Sequence, residues 1–132
     1  MNKYDVIIIG SGPVGLSLAK SLSNESFSVC VIDRQTKDDL SNPAYDGREV
    51  AITHFSKRIL KDIGSWDLIE QSCISHLKEA KVINGHSPYS LHFNFEDTNQ
   101  TTLGYLIPND RIKSAIFRSI NAVSYTHLTL PT

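Results

Sequence analysis

The sequence predicts an α/β fold that opens with a parallel βαβ unit, and three observations predict it. The first is an apolar run, Val6-Ile7-Ile8-Ile9, leading into Gly10-Ser11-Gly12-Pro13-Val14-Gly15. The second is helical spacing directly after those glycines, with Leu16, Ala19 and Leu22 on one face and Leu18 beside them. The third is a further apolar stretch, Val29-Cys30-Val31-Ile32, that ends at Asp33, eighteen residues after Gly15. A strand, a glycine turn, a helix and a strand ending in an acid form, in that order, a dinucleotide-binding unit.

Each element follows from its residues. The run at 6–9 is apolar, and residues 27–32 alternate and then become apolar, as a buried parallel strand should. Gly10 permits the tight reversal, Gly12 lets a pyrophosphate approach the backbone, and Gly15 lets the helix pack close to the strand. The free N–H groups at the helix start, with the positive end of the helix dipole, face the anion. The helix covers 16–22 and the polar stretch around Asn24 ends it. Residues 27–32 are the second strand, and Asp33 at its end can accept hydrogen bonds from ribose hydroxyls. The residues alone also fit a βα turn without ligand and an ordinary strand-end Asp.

Residues 34–47 read as a loop, with Asn42-Pro43 and Asp46-Gly47 as breakers. In 49–63, Val50, Ile52, Phe55, Ile59, Leu60 and Ile63 take helical spacing after Thr53, and Gly64 supplies a C-cap. A short helix begins at Trp66. Residues 80–85 and 90–96 resemble strands; in the second, Leu91, Phe93 and Phe95 alternate with Ser90, His92 and Asn94, which implies one wet face. Tyr105-Leu106-Ile107 is extended, and Pro108-Asn109-Asp110 caps a helix carrying Ile112, Ala115, Ile116 and Ile120. A third parallel strand should follow that helix.

Bulk properties narrow the function. The 132 residues suffice for one domain with a core. Thirteen basic against fourteen acidic side chains give a net charge of −1, and the basic ones are scattered, so nucleic-acid binding is not expected. Cys30 and Cys73 form no Cys-x-x-Cys, and this usage fits a reducing compartment. Cys30 is expected to be a small buried apolar group. The five histidines match no metal-site spacing, no nucleophile motif appears, and no residue is a convincing catalytic acid or base. No run approaches the roughly 20 apolar residues of a membrane span.

The segment Asp46-Gly47-Arg48-Glu49-Val50-Ala51-Ile52-Thr53-His54, with Ser56, Leu60 and Ile63-Gly64-Ser65-Trp66, adds a more specific signal. Together with the glycine turn, Asp33-Arg34 and Gly104-Tyr105-Leu106-Ile107-Pro108-Asn109, it resembles the FAD-dependent aromatic-ring hydroxylases of ubiquinone biosynthesis, flavin monooxygenases like para-hydroxybenzoate hydroxylase. Its wording resembles that of the demethoxyubiquinol-hydroxylase branch, although Pro108 stands where a Glu is common in the family. The resemblance covers about residues 3–122 and implies the N-terminal part of a Rossmann-like FAD-binding domain, incomplete, a βαβ unit with a helical and strand excursion.

By that resemblance, Gly10, Ser11, Gly12, Pro13, Val14 and Gly15 hold the FAD pyrophosphate. Asp33 binds the adenosine ribose and Arg34 lies beside the adenosine. Arg48 reaches the cofactor as a cation near the phosphates or ribityl chain, and Asn109 contacts the flavin side. The residues themselves leave other roles open: a solvated charge for Arg34, a loop salt bridge for Arg48, an N-cap for Asn109. No catalytic residue and no metal ligand is assigned.

The resemblance further implies hydroxylation of a phenolic or quinol ubiquinone precursor with NAD(P)H and O2. It implies a cytoplasmic location, peripheral to the inner membrane or in a ubiquinone-biosynthesis complex. Family members are much longer, so residues 1–122 are expected to be a partial FAD-binding domain that catalyses nothing alone. Residues 123–132, Val123 to Thr132, look like translated adaptor read-through, a non-native tail; by propensity the same residues also suit an authentic third strand. The alternative function is a dinucleotide-binding module, for FAD or NAD, of another oxidoreductase.

Overall fold

The computed structural model describes residues 3–121 and 127–129. It opens as expected. Strand β1 (Val6–Ile9) runs into helix α1 (Pro13–Asn24) and returns as β2 (Val29–Ile32). The two strands are parallel and in step, Val6 opposite Val29 and Ile9 opposite Ile32. Pro13 starts α1 at a position where a missing N–H costs nothing. Leu16 and Ala19 turn inward onto Ile8, Val29 and Val31 in one continuous core, and Cys30 is buried as expected.

The chain then leaves this sheet. A short helix α2 (Lys37–Ser41) is followed by β3 (Glu49–Ile52) and α3 (His54–Asp62). Two 3-10 turns at Trp66–Leu68 and Gln71–Cys73 lead to β4 (Ser75–Leu77), then the hairpin β5 (Glu79–Ile83) and β6 (Ser90–Asn94). After a 3-10 turn at Phe95–Asp97 come β7 (Gly104–Pro108), α4 (Asn109–Asn121) and β8 (His127–Thr129). Strand β7 is the centre of an antiparallel sheet ordered β3-β7-β4, with Glu49 opposite Pro108 and Ile52 opposite Tyr105. Strand β8 pairs in parallel with β2, Cys30 opposite His127, which makes a three-stranded parallel sheet ordered β1-β2-β8. Of the residues read as a tail, 127–129 thus form the third parallel strand, and 123–126 and 130–132 lie outside the described residues.

Two local readings are corrected, for residues 34–47 and for the second strand pair. Residues 34–47 are not wholly loop. Thr36 and Asp39 close a reciprocal capping box, the Thr36 hydroxyl accepting from the Asp39 N–H at 3.1 Å and the Asp39 carboxylate accepting from the Thr36 N–H at 2.8 Å. The helix starts after Thr53 as its spacing indicates, the Thr53 hydroxyl capping α3 by accepting from the Ser56 N–H at 3.1 Å, and residues 49–52 ahead of it form a strand by pairing with β7. The hairpin β5–β6 has no buried face: Val82, Ile83, Leu91 and Phe93 are all exposed. The C-cap at Gly64 is present. The Gly64 N–H donates to the Lys61 carbonyl and the Ser65 N–H to the Leu60 carbonyl, both at 2.8 Å, the paired bonds that end a helix in a Schellman turn.

Candidate functional site

The glycine turn is shaped by packing on one side and open on the other. Gly10 takes φ +106° and its N–H donates to the Ile32 carbonyl at 2.8 Å, tying the turn to the end of β2. A Cβ on Gly15 would collide with the Gly10 carbonyl oxygen, so only glycine lets α1 come this close to the turn. A Cβ on Gly12 would meet nothing within 4 Å. The space over Gly12 is therefore open, as a backbone that receives a ligand requires.

Two further observations test the fit of a pyrophosphate. Helix α1 has no side-chain cap and no acid in its first turn, so its leading N–H groups keep their capacity to donate to an anion. Ser11 is fully buried, and its Oγ has no hydrogen-bond partner among the described residues. An uncapped helix start beside a glycine turn with open space over it fits a group rich in acceptor oxygens. Val14 stands exposed beside it.

Asp33 closes the turn from the neighbouring strand end. Its carboxylate accepts from the Ser11 N–H at 2.6 Å and from the Gln35 N–H at 2.9 Å. Burial pushes this carboxyl up, but the N–H donors of Ser11, Gln35 and Arg34 outweigh it and hold it at about 2. An acid at this strand end is placed where a dinucleotide's ribose hydroxyls donate. Arg34 is exposed, and its guanidinium makes no contact to another described residue.

Arg48 and Asn109 come together, although 61 residues of sequence separate them. What joins them is Asp46, a residue to which the sequence assigned no role. The Arg48 guanidinium donates to Asp46 through Nε at 2.9 Å and Nη2 at 2.6 Å, and the Arg48 N–H donates to the other carboxylate oxygen at 3.0 Å. Gly47, at φ +71°, makes the reversal that brings that N–H back. The Asn109 side-chain amide donates to Asp46 at 2.8 Å, and the Asn109 N–H donates to the Arg48 carbonyl at 2.9 Å. The Arg48 side chain and amide, with the Asn109 amide, hold the Asp46 carboxyl well below the usual range. Arg48 thus sits in the loop salt bridge, and Asn109 is buried at the first turn of α4. An Asp two residues before an Arg, with Gly between, is the signal that points to this pair, since Asp side chains bond the backbone N–H two residues on.

An apolar cleft of about 310 Å³ opens next to the turn, between α1, β3, α3 and α4, with Val14, Ile52, Ile59 and Ile112 on its walls. No sequence pattern announced it, because its walls come from four separate elements.

Comparison with known proteins agrees with this geometry. The family described as FAD binding domain matches residues 3–122. The chain is 41% identical over 121 residues to the ubiquinone hydroxylase UbiM of Neisseria meningitidis serogroup C, covering 89% of this chain and 26% of that protein. It is 24% identical over 128 residues to the 3-demethoxyubiquinol 3-hydroxylase of Escherichia coli, covering 96% and 32%. Among solved structures, PqsL of Pseudomonas aeruginosa, described as a probable FAD-dependent monooxygenase, superposes with a TM-score of 0.71 at 18% identity, over 98% of this chain and 33% of that one. The chain spans about a quarter to a third of the length of these proteins.

Proposed function

This chain belongs to the FAD-binding domain family, and from that premise we propose that it is the cofactor-holding part of a monooxygenase that hydroxylates a ubiquinone precursor. The observation that carries the reading is the open turn over Gly12, closed by Asp33, in a chain 41% identical to a ubiquinone hydroxylase. When bound, FAD supplies the redox chemistry that links NAD(P)H and O2 to ring hydroxylation. The chain's residues bind and orient. The α1 N-terminus and the Gly10–Gly15 backbone face the pyrophosphate, Asp33 accepts from the adenosine ribose, and Arg34 lies beside the adenosine. Arg48 and Asn109 serve the ribityl and flavin side. A phenolic or quinol ring as substrate, and a cytoplasmic place at the inner membrane, belong to the same proposal.

A chimera tests it. Residues 3–122 replace the matching segment of the Neisseria hydroxylase, in cells that lack their own hydroxylase for that ring. The purified chimera is expected to carry FAD, and the cells to make ubiquinone, with both lost in the Gly12→Val version. A chimera that holds FAD and yields no hydroxylated quinone overturns the monooxygenase reading. A folded chimera without flavin overturns the cofactor assignment.

A further inference from the structure

Asp46 occupies an unusual place in the candidate site: one carboxylate on an exposed loop gathers donors from two residues that sequence separation keeps far apart. Four bonds converge on it, from Arg48 Nε, Nη2 and N–H and from the Asn109 amide. Its side chain is 31% exposed and that of Arg48 is 71% exposed. Guanidinium has five N–H donors, and Asp46 engages the edge formed by Nε and Nη2. The Nη1 edge stays exposed and is fixed in direction. Asn109 is pinned twice, through its amide to Asp46 and through its N–H to the Arg48 carbonyl.

We propose that Asp46 is a positioning residue for the flavin site, which aims the free edge of Arg48 and the Asn109 amide before FAD arrives. The inference rests on the reading that Arg48 and Asn109 serve FAD. A flexible arginine loses rotamer freedom when it takes a ligand, and a carboxylate that already holds it reduces that cost. The opposite role is a competing anion, in which Asp46 occupies Arg48 and must be displaced. The geometry favours positioning, because Asp46 takes one edge of the guanidinium and leaves the other open.

The test uses the full 132-residue chain, titrated with FAD by quenching of flavin fluorescence, for wild type, Asp46→Asn, Arg48→Ala, Asn109→Ala and their combinations. Asp46→Asn is expected to weaken FAD binding about tenfold, the scale of one charge-assisted hydrogen bond, in a chain whose circular dichroism stays that of the folded wild type. In the background lacking both the Arg48 and Asn109 side chains, the same change is expected to do nothing more, since Asp46 acts through them. Unchanged or tighter binding in Asp46→Asn, with weaker binding in Arg48→Ala, overturns positioning and leaves the site reading intact. Unchanged binding in Arg48→Ala and Asn109→Ala overturns the site reading, and the proposal with it. A second readout needs no ligand: the Arg48 Nε–H and Asn109 amide resonances are expected to be dispersed and slow to exchange in wild type and to collapse toward solvent values in Asp46→Asn. Identical resonances in both proteins overturn the proposal.

Discussion

Gly12 and Gly15 stand three residues apart in one motif, and the structure gives them different duties. Gly12 has an extended backbone, φ −69° and ψ 175°, that any residue adopts, and open space where its side chain would be. Gly15 faces the Gly10 carbonyl with no room for a methyl group. Gly12→Val is therefore expected to melt close to wild type and to lose FAD binding. Gly15→Ala is expected to lower stability by about 1–3 kcal/mol, the usual cost of forcing a methyl into a packed contact. Thermal melts and FAD titration of both variants check the split, and equal melting temperatures would remove the close-packing argument for Gly15. Asp33 makes a pH prediction at the same scale. Its folded value of about 2 lies below the ordinary 3.8. The stability it contributes is present above the unfolded value and is lost as pH falls from about 4 toward 2. Asp33→Asn is expected to flatten part of that acid limb. Asp5, Asp39 and Asp46, also held low, keep the rest. An acid limb unchanged in Asp33→Asn would show that its bonds to the turn contribute no stability.

At the scale of elements, legibility follows the source of the information. The β1-α1-β2 unit was readable because an apolar run, a glycine spacing and a helical period each report locally. The Gly64 stop and the α4 period were readable for the same reason. Helix α2 is five residues long with a single apolar side chain, Leu40, so no period exists; its signal was the Thr36–Asp39 cap. Strand β4 is three residues, Ser-His-Leu, and is a strand only because β7 offers it a ladder. The alternation in β6 correctly marked a strand, yet burial of its apolar face needs a partner surface, which a single strand's pattern does not specify. In the site, the phosphate turn and Asp33 were legible from spacing. The junction of Asp46, Arg48 and Asn109 was not, because it arises from β3 and β7 pairing in antiparallel register, with Glu49 opposite Pro108.

The whole molecule is lopsided in how it covers its parallel sheet. Val6, Ile8, Val29 and Val31 share one face, which α1 covers with α4 packed beside it. Ile7, Ile9, Cys30 and Ile32 share the other face; Cys30 is buried there and the three isoleucines are exposed, Ile9 at 87%. Parallel strands of this composition occur with both faces covered, because each exposed isoleucine forgoes roughly 1.5–3 kcal/mol of burial. Exposed isoleucines gathered on one face of a sheet promote association between copies. The 132-residue chain is therefore expected to self-associate as its concentration rises. Ile7→Thr with Ile9→Thr removes apolar surface while keeping β-branched residues suited to a strand. The double variant is expected to sediment as a monomer where the parent forms larger species, and to melt within a few degrees of it, since neither side chain packs against the core. A double variant that associates as the parent does would place the sticky surface elsewhere, first on the β5–β6 hairpin, whose Val82, Ile83, Leu91 and Phe93 are also exposed. A large drop in its melting temperature would instead mean that Ile7 and Ile9 are buried in solution, and that the second face of the sheet is covered there by a copy of the chain.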